Sequence, residues 1–243
     1  MKVIKLLSVF MMLGLTASAQ TISVDEVTVR AKAKENVSIK LTGGSGYVAS
    51  GFSVELPEGI VMTGDVTNDI GSHIMKSNLK NDRAMKIAMY SSQNQSFSNT
   101  TTSLLSLELT PNCKPGTYQG KISGIEFATN SYGLKKMADV TFNIIVKNMY
   151  GDVNSDNKVT ITDAVGIVND ILGNPSANFD RDAANINGDI DDNGDPKITI
   201  TDAVGVVNII LDNGSGSSSA PKMQAPEEPN APAVAPEATA EPE

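Results

Sequence analysis

Between Thr21 and Val146 apolar and polar residues alternate in short runs. Val37-Ser-Ile39-Lys-Leu41, Phe52-Ser-Val54-Glu-Leu56, Lys86-Ile87-Ala-Met89-Tyr90, Leu105-Ser-Leu107-Glu-Leu109 and Val140-Thr-Phe142-Asn-Ile144 each put every second side chain on one face. That period belongs to half-buried strands. Gly-Gly, Pro-Glu-Gly, Asn-Gln and Pro-Gly turns fall between the runs. Short strands at this density predict an antiparallel sandwich of Greek-key type over residues 20–147.

Further along, the period changes to that of a helix, and the text repeats. The first copy reads Asp152-Val-Asn154-Ser-Asp156-Asn-Lys158-Val-Thr160-Ile-Thr-Asp163, followed by Ala164-Val-Gly-Ile-Val-Asn-Asp-Ile-Leu172. The second reads Asp191-Asp-Asn193-Gly-Asp195-Pro-Lys197-Ile-Thr199-Ile-Thr-Asp202, followed by Ala203-Val-Gly-Val-Val-Asn-Ile-Ile-Leu211. Both place Asp, Asn, Asp, Lys, Thr and Asp at positions 1, 3, 5, 7, 9 and 12, from which a twelve-residue EF-hand loop draws its oxygens. Calcium is a hard cation that takes six to eight oxygens, so carboxylates, amides, a main-chain carbonyl at Lys158 or Lys197, and Thr160 or Thr199 directly or through water can surround it. Two calcium ions are expected. Position 12 is Asp in both copies, so the helix that it opens must carry the carboxylate inward. Ala164, Ile167 and Ile171, with Ala203, Val206 and Ile210, recur at helical spacing and predict the face along which the two helices pack.

The tandem of loop-plus-helix copies, with Asp182-Ala-Ala-Asn-Ile-Asn-Gly-Asp189 before the second, resembles a type I dockerin, over residues 150–213. The resemblance implies a small all-helical EF-hand-like module that needs calcium and docks on a cohesin, a β-sandwich, on another protein or on the same chain. In that family the contacts come from loop positions 10 and 11 and the exposed side of the next helix. Here these fall on Ile161, Thr162, Val165, Val168 and Asn169, and on Ile200, Thr201, Val204, Val207 and Asn208. Two residues depart from the pattern at position 6, where a sharp turn favours Gly. Asn157 tolerates a left-handed backbone, whereas Pro196 cannot adopt it. Asp189 is a spare carboxylate that could replace Asp191 in a bulged register, and the sequence leaves this choice open. The run from Val37 to Gly59, with Phe52-Ser-Val-Glu-Leu-Pro-Glu-Gly59, resembles the opening of a cohesin-type or related carbohydrate-binding sandwich.

Charge sharpens the division. Residues 150–213 hold twelve Asp against three Lys or Arg, while residues 20–149 hold eleven acids and thirteen bases. The acidity therefore belongs to the repeated module, whose folding should be coupled to cation uptake. No basic patch offers itself to nucleic acid. A single Cys113 excludes internal disulfides, and a catalytic thiol would have only His73 as its base. Asp65, Asp69 and Asp82 lie in loop-like stretches without the pairing that glycoside hydrolysis requires. No enzymatic activity is expected. Tyr47, Tyr90, Tyr118 and Tyr132 are the aromatic candidates if the sandwich binds a glycan, the alternative function, with the dockerin-like part tethering it to a larger complex.

Residues 1–19 combine Lys2 and Lys5, an apolar run and Ala17-Ser-Ala19, which predicts a signal peptide cleaved after Ala19 and a secreted or cell-surface protein. No transmembrane anchor is expected. Residues 214–243 start Gly-Ser-Gly-Ser and turn rich in Pro, Ala and Glu, a composition that predicts disorder. The sequence reading is a secreted, non-catalytic, calcium-binding assembly protein acting in a polysaccharide-degrading or cell-surface setting.

Overall fold

The computed structural model describes residues 20–213, so the expected signal peptide and tail lie outside the described residues. The chain divides between Met149 and Tyr150 into two compact units.

Twelve strands build the first unit: β1 (Thr21–Val24), β2 (Val27–Arg30), β3 (Glu35–Thr42), β4 (Tyr47–Glu55), β5 (Ile60–Met62), β6 (Thr67–Asn68), β7 (Ile74–Asn81), β8 (Ala84–Tyr90), β9 (Thr102–Pro111), β10 (Gly116–Thr129), β11 (Leu134–Lys136) and β12 (Val140–Lys147). One sheet runs β1-β3-β9-β5, with β6 also on β9; the other runs β2-β12-β10-β4-β8-β7, with β11 on β10. The five alternating segments fall on β3, β4, β8, β9 and β12, with Leu56 just past the end of β4.

Burial follows the two-residue period. Val37, Ile39 and Leu41 face Phe52, Val54, Ile87, Ile122, Phe127 and Ile144 in one core, each nearly or wholly shielded. A bulge opposite Ile39 and Lys40 inserts Leu104, so that it and Leu105 both turn inward. Gly120 sits opposite Phe142 because a Cβ there would lie 2.3 Å from the ring.

The antiparallel expectation meets one exception. β2 runs parallel to β12, from Val27 opposite Ile144 to Arg30 opposite Lys147. Only Asp25 and Glu26 separate β1 from β2, yet the two strands belong to different sheets. The chain changes sheets there.

The second unit contains α1 (Ile161–Ile171), the single turn α2 (Arg181–Ala184) and α3 (Ile200–Asn213). Helices α1 and α3 pack through Ala164, Ile167, Ala203 and Val206, joined by Val153, Ala184 and Ile186. Gly166 and Gly205 let the loop residues Val153 and Ile186 lie close on the helices: an added Cβ would stand 3.0 Å from Val153 Cγ2 and 2.7 Å from Ile186 Cγ2 respectively. Ile210 is half-buried against this core. Ile171 departs from its expected place in the packing face and is exposed, because α1 ends there and Leu172 is already its C-cap. Among the described residues no helix is long and apolar enough to cross a membrane.

Candidate cation loops and docking face

The first loop is organised by its own carboxylates. Asp152 is fully buried, and its two oxygens accept from the N–H groups of Asp156 at 3.1 Å and Asn157 at 2.9 Å. Asn154 Oδ1 accepts from Asp156 N at 2.9 Å, and Asp156 Oδ1 from Lys158 N at 2.8 Å. These bonds curl the chain tightly, with Ser155 and Asn157 both at φ 63°. The Asn at position 6 thus adopts the left-handed conformation usually given to Gly.

Asp163 closes the loop. Its Oδ1 accepts from the buried Val153 N–H at 3.0 Å; its Oδ2 accepts from Thr160 N at 2.9 Å and Thr160 Oγ1 at 3.2 Å. Thr160 is the N-cap of α1 and forms a capping box with Asp163. The acid is therefore both a helix-start signal and a tie between loop entry and loop exit. Asp202 repeats this, accepting from Ile186 N at 2.9 Å and from Thr199 N at 2.8 Å and Oγ1 at 3.1 Å.

Burial pushes the Asp152 carboxyl above its usual range; the N–H groups of Asn157 and Asp156 oppose that, and the charges of Asp163 and Asp156 add to it. A carboxylate crowded in this way favours a positive partner. Among the described residues no three His, Cys, Asp or Glu side chains converge as a metal cluster. The oxygens that the loop gathers are instead mixed, from the Asp152, Asp156 and Asp163 carboxylates and the Asn154 amide, and Lys158 would add its single main-chain carbonyl. An oxygen-only set of this kind fits calcium.

The second loop is arranged differently. Asp191 accepts from the N–H groups of Asp195 at 3.0 Å and Asn193 at 2.8 Å, which hold its carboxyl below the usual range. Asp191, Asn193, Asp195 and Lys197 are all exposed. Lys197 N donates to Asp189 O at 2.9 Å, Ile190 bridges Pro196, and Asp191 N donates to Asp195 O at 2.9 Å, so this stretch is a small hairpin. Arg181 fastens it, with Nη2 on Pro196 O at 3.3 Å and Nη1 on the Asp170 carboxylate at 2.7 Å.

Outside the loops, the helices leave apolar residues in solvent. Ile161 and Val165 are 63% and 52% exposed; their counterparts Ile200 and Val204 are 62% and 53%. Leu172 and Leu211, at the ends of the copies, are both 68% exposed. Val168 is half-buried and Val207 is exposed, whereas Thr162, Asn169, Thr201 and Asn208 lie at the surface. Positions 161, 165, 168 and 172 follow a helical stripe, and so do 200, 204, 207 and 211. Leu172 and Leu211 were not among the expected contact residues, although their repetition at the end of each copy marked them.

The sandwich also exposes apolar residues, Ile74 and Leu79 on β7 and Leu134 on β11, but without the two-copy repetition seen on the helices. Tyr47 packs on Phe127 with ring centroids 5.4 Å apart, and Tyr118 donates its hydroxyl proton to Lys114 O. Tyr90 and Tyr132 are exposed. Asp69 accepts from the Ser103 and Ser106 hydroxyls.

Taken unit by unit, the protein is a β-sandwich followed by a helical module made from two acidic loop-plus-helix repeats. No known family model matches the chain. No curated protein matches it. Among solved structures, the chain is similar to the cohesin module of a family 33 glycoside hydrolase from Clostridium perfringens, at 14% identity and TM-score 0.47, over 53% of this chain and 96% of that one. It is similar also to a non-cellulosomal cohesin from the archaeon Archaeoglobus fulgidus, at 15% identity and TM-score 0.44, over 52% and 91% of the two chains. A third is the sixth cohesin of scaffoldin B from Acetivibrio cellulolyticus, solved in complex with a dockerin, at 15% identity and TM-score 0.46, over 54% and 100%.

Proposed function

We propose that this is a secreted, non-catalytic assembly protein whose dockerin-like module uses calcium to hold two equivalent helix faces ready for a cohesin-type sandwich. Calcium at Asp152, Asn154, Asp156, Thr160 and Asp163, and at the second loop, offsets the repulsion among the acids. The loop then fixes the start of the helix, because Asp163 belongs to both. A cation that binds only the folded loop stabilises it by mass action. The partner-facing stripe runs Ile161, Val165, Val168, Leu172 in one copy and Ile200, Val204, Val207, Leu211 in the other.

One observation carries this reading: the paired exposures of the two stripes agree within one percentage point at three of their four positions compared above. Large apolar residues left equally in water on both copies mark contact surfaces better than a packing defect would. Their equivalence lets one partner seat on either copy, in two orientations related by a half-turn. The partner is a cohesin-type sandwich on another protein or on another copy of this chain, and the setting is polysaccharide degradation or the cell surface.

The test is capture of partners from the native secretome on the immobilised protein, with calcium and with chelator. Calcium-dependent capture that survives Val165→Asp alone and Val204→Asp alone, but not the two together, is expected. Capture indifferent to chelator would overturn the calcium part, and complete loss from either single variant would overturn the two-orientation part.

A further inference from the structure

The two halves of the repeat correspond in space in a register that their letters conceal. Val153 N donates to Asp163 Oδ1 at 3.0 Å; the residue that donates to Asp202 Oδ1, at 2.9 Å, is Ile186. Val153 lies over Gly166, and Ile186 lies over Gly205. Asp156 N donates to Asn154 Oδ1 at 2.9 Å, and Asp189 N donates to Asn187 Oδ1 at the same distance. Ser155 has φ 63°, and Gly188 has φ 74°. By these correspondences Asn185, Asn187 and Asp189 occupy positions 1, 3 and 5. Between Asp189 and Lys197 the chain makes the hairpin of residues 190–196 where the first loop has only Asn157. The Lys197 N–H to Asp189 O bond closes its neck, returning the chain to position 7.

A second observation points to a ligand at this place. Asn185 is 9% exposed, its Nδ2 donates to Asp189 O at 2.7 Å, and its buried Oδ1 has no hydrogen-bond partner. A buried amide oxygen without a donor is unfavourable unless something satisfies it. At position 1 of a loop of this shape, a cation would satisfy it. Asp191 has no such deficit, because it is exposed and its carboxylate accepts from N–H groups of its own turn.

We propose that the second cation is held by Asn185, Asn187, Asp189 and Asp202, with residues 190–196 looped out of the coordination sphere, and that this site is the weaker of the two. The inference rests on the calcium reading above and assigns its second site. Asp152, Asp156 and Asp163 give the first loop three carboxylates, whereas Asp189 and Asp202 give the second only two. Affinity in such loops follows the number of charged ligands. The first copy is thereby ordered at lower calcium than the second, and over that interval a partner meets one finished face and one unfinished.

Calcium titration calorimetry on the whole protein tests this, with terbium luminescence as an independent readout. The wild type should show two steps separated by roughly tenfold or more in affinity. Asn185→Asp restores the third carboxylate and should tighten the second step by about tenfold, a gain that misfolding cannot imitate. Asp189→Asn should weaken the second step alone, and the double variant Asp191→Asn, Asp195→Asn should leave both steps in place. Loss of the second step in that double variant, a single step in the wild type, or no effect of Asn185→Asp would overturn the assignment. Absence of any uptake would instead overturn the calcium reading, and the persistence of the first step separates the two failures.

Discussion

Replacing Asp163 by Asn keeps the shape of the side chain and removes one acceptor oxygen, so its cost can be worked from the bonds around it. Oδ1 serves the buried Val153 N–H, and Oδ2 serves Thr160 N and Oγ1. An amide oxygen can take over one side only. The amide NH2 then faces a main-chain N–H, donor against donor, and leaves it without an acceptor at a cost of about 1–3 kcal/mol. Half of the capping box goes with it, a loss of about 0.5–2 kcal/mol for caps in general. The two figures overlap at Thr160 N, so about 2 kcal/mol is the combined expectation. In a unit of this size that lowers the melting midpoint by about 8–16 °C. Far-ultraviolet circular dichroism, which follows α1 and α3, is the assay. The loss should persist in chelator, since the bonds are internal, and grow in calcium, since a candidate ligand is neutralised. A variant that melts with the wild type in both conditions would refute the role given to Asp163.

Gly205→Ala should destabilise the helical module by roughly 1–3 kcal/mol, because the new Cβ meets Ile186 Cγ2 at 2.7 Å, while Gly166→Ala, with 3.0 Å to Val153, should cost less. Alanine gains about 1 kcal/mol in helix propensity, so a melt in which Gly205→Ala is stabilised would show that the helices have slack. His73, nearly buried and stacked on Phe97 at 4.0 Å, has its pKa lowered from 6.5 by burial. The unfolded chain then binds the proton more readily than the folded one, so His73 costs no stability above about pH 6.5 and costs progressively more as the pH falls through that value towards its folded pKa. Denaturant melts of wild type and His73→Phe should diverge below that pH, with the wild type losing more; parallel curves would contradict it.

The strands that were legible are those with an unbroken two-residue period. β10 was not among them, although Ile122, Ile125 and Phe127 are core residues. Its register shifts between Ser123 and Glu126, where Gly124 has φ 60°, and the bulge breaks the alternation that would have marked it. β7 escaped for another reason: as the edge of its sheet it is mostly exposed, so Ile74–Asn81 carries little apolar pattern. In the first loop the hydrogen bonds that organise it run between Asp152 and Asp163, within twelve consecutive positions, so the extent of the loop was legible. The second loop is interrupted by the hairpin of residues 190–196, so counting back from Asp202 lands on Asp191 while the hydrogen bonds of Asp202 lead to Ile186 and Asn187. The helix faces were legible through their repetition. Ile171 was misplaced because periodicity does not show where a helix stops.

The most direct test of the central claim is a calcium titration of the whole protein by calorimetry, paired with circular dichroism in calcium and in chelator. Measurable heat of uptake and a gain in helical signal and melting midpoint are predicted, with each site adding about 4 kcal/mol once free calcium exceeds its dissociation constant a thousandfold. No heat, together with spectra and melts that chelator leaves unchanged, would contradict the account.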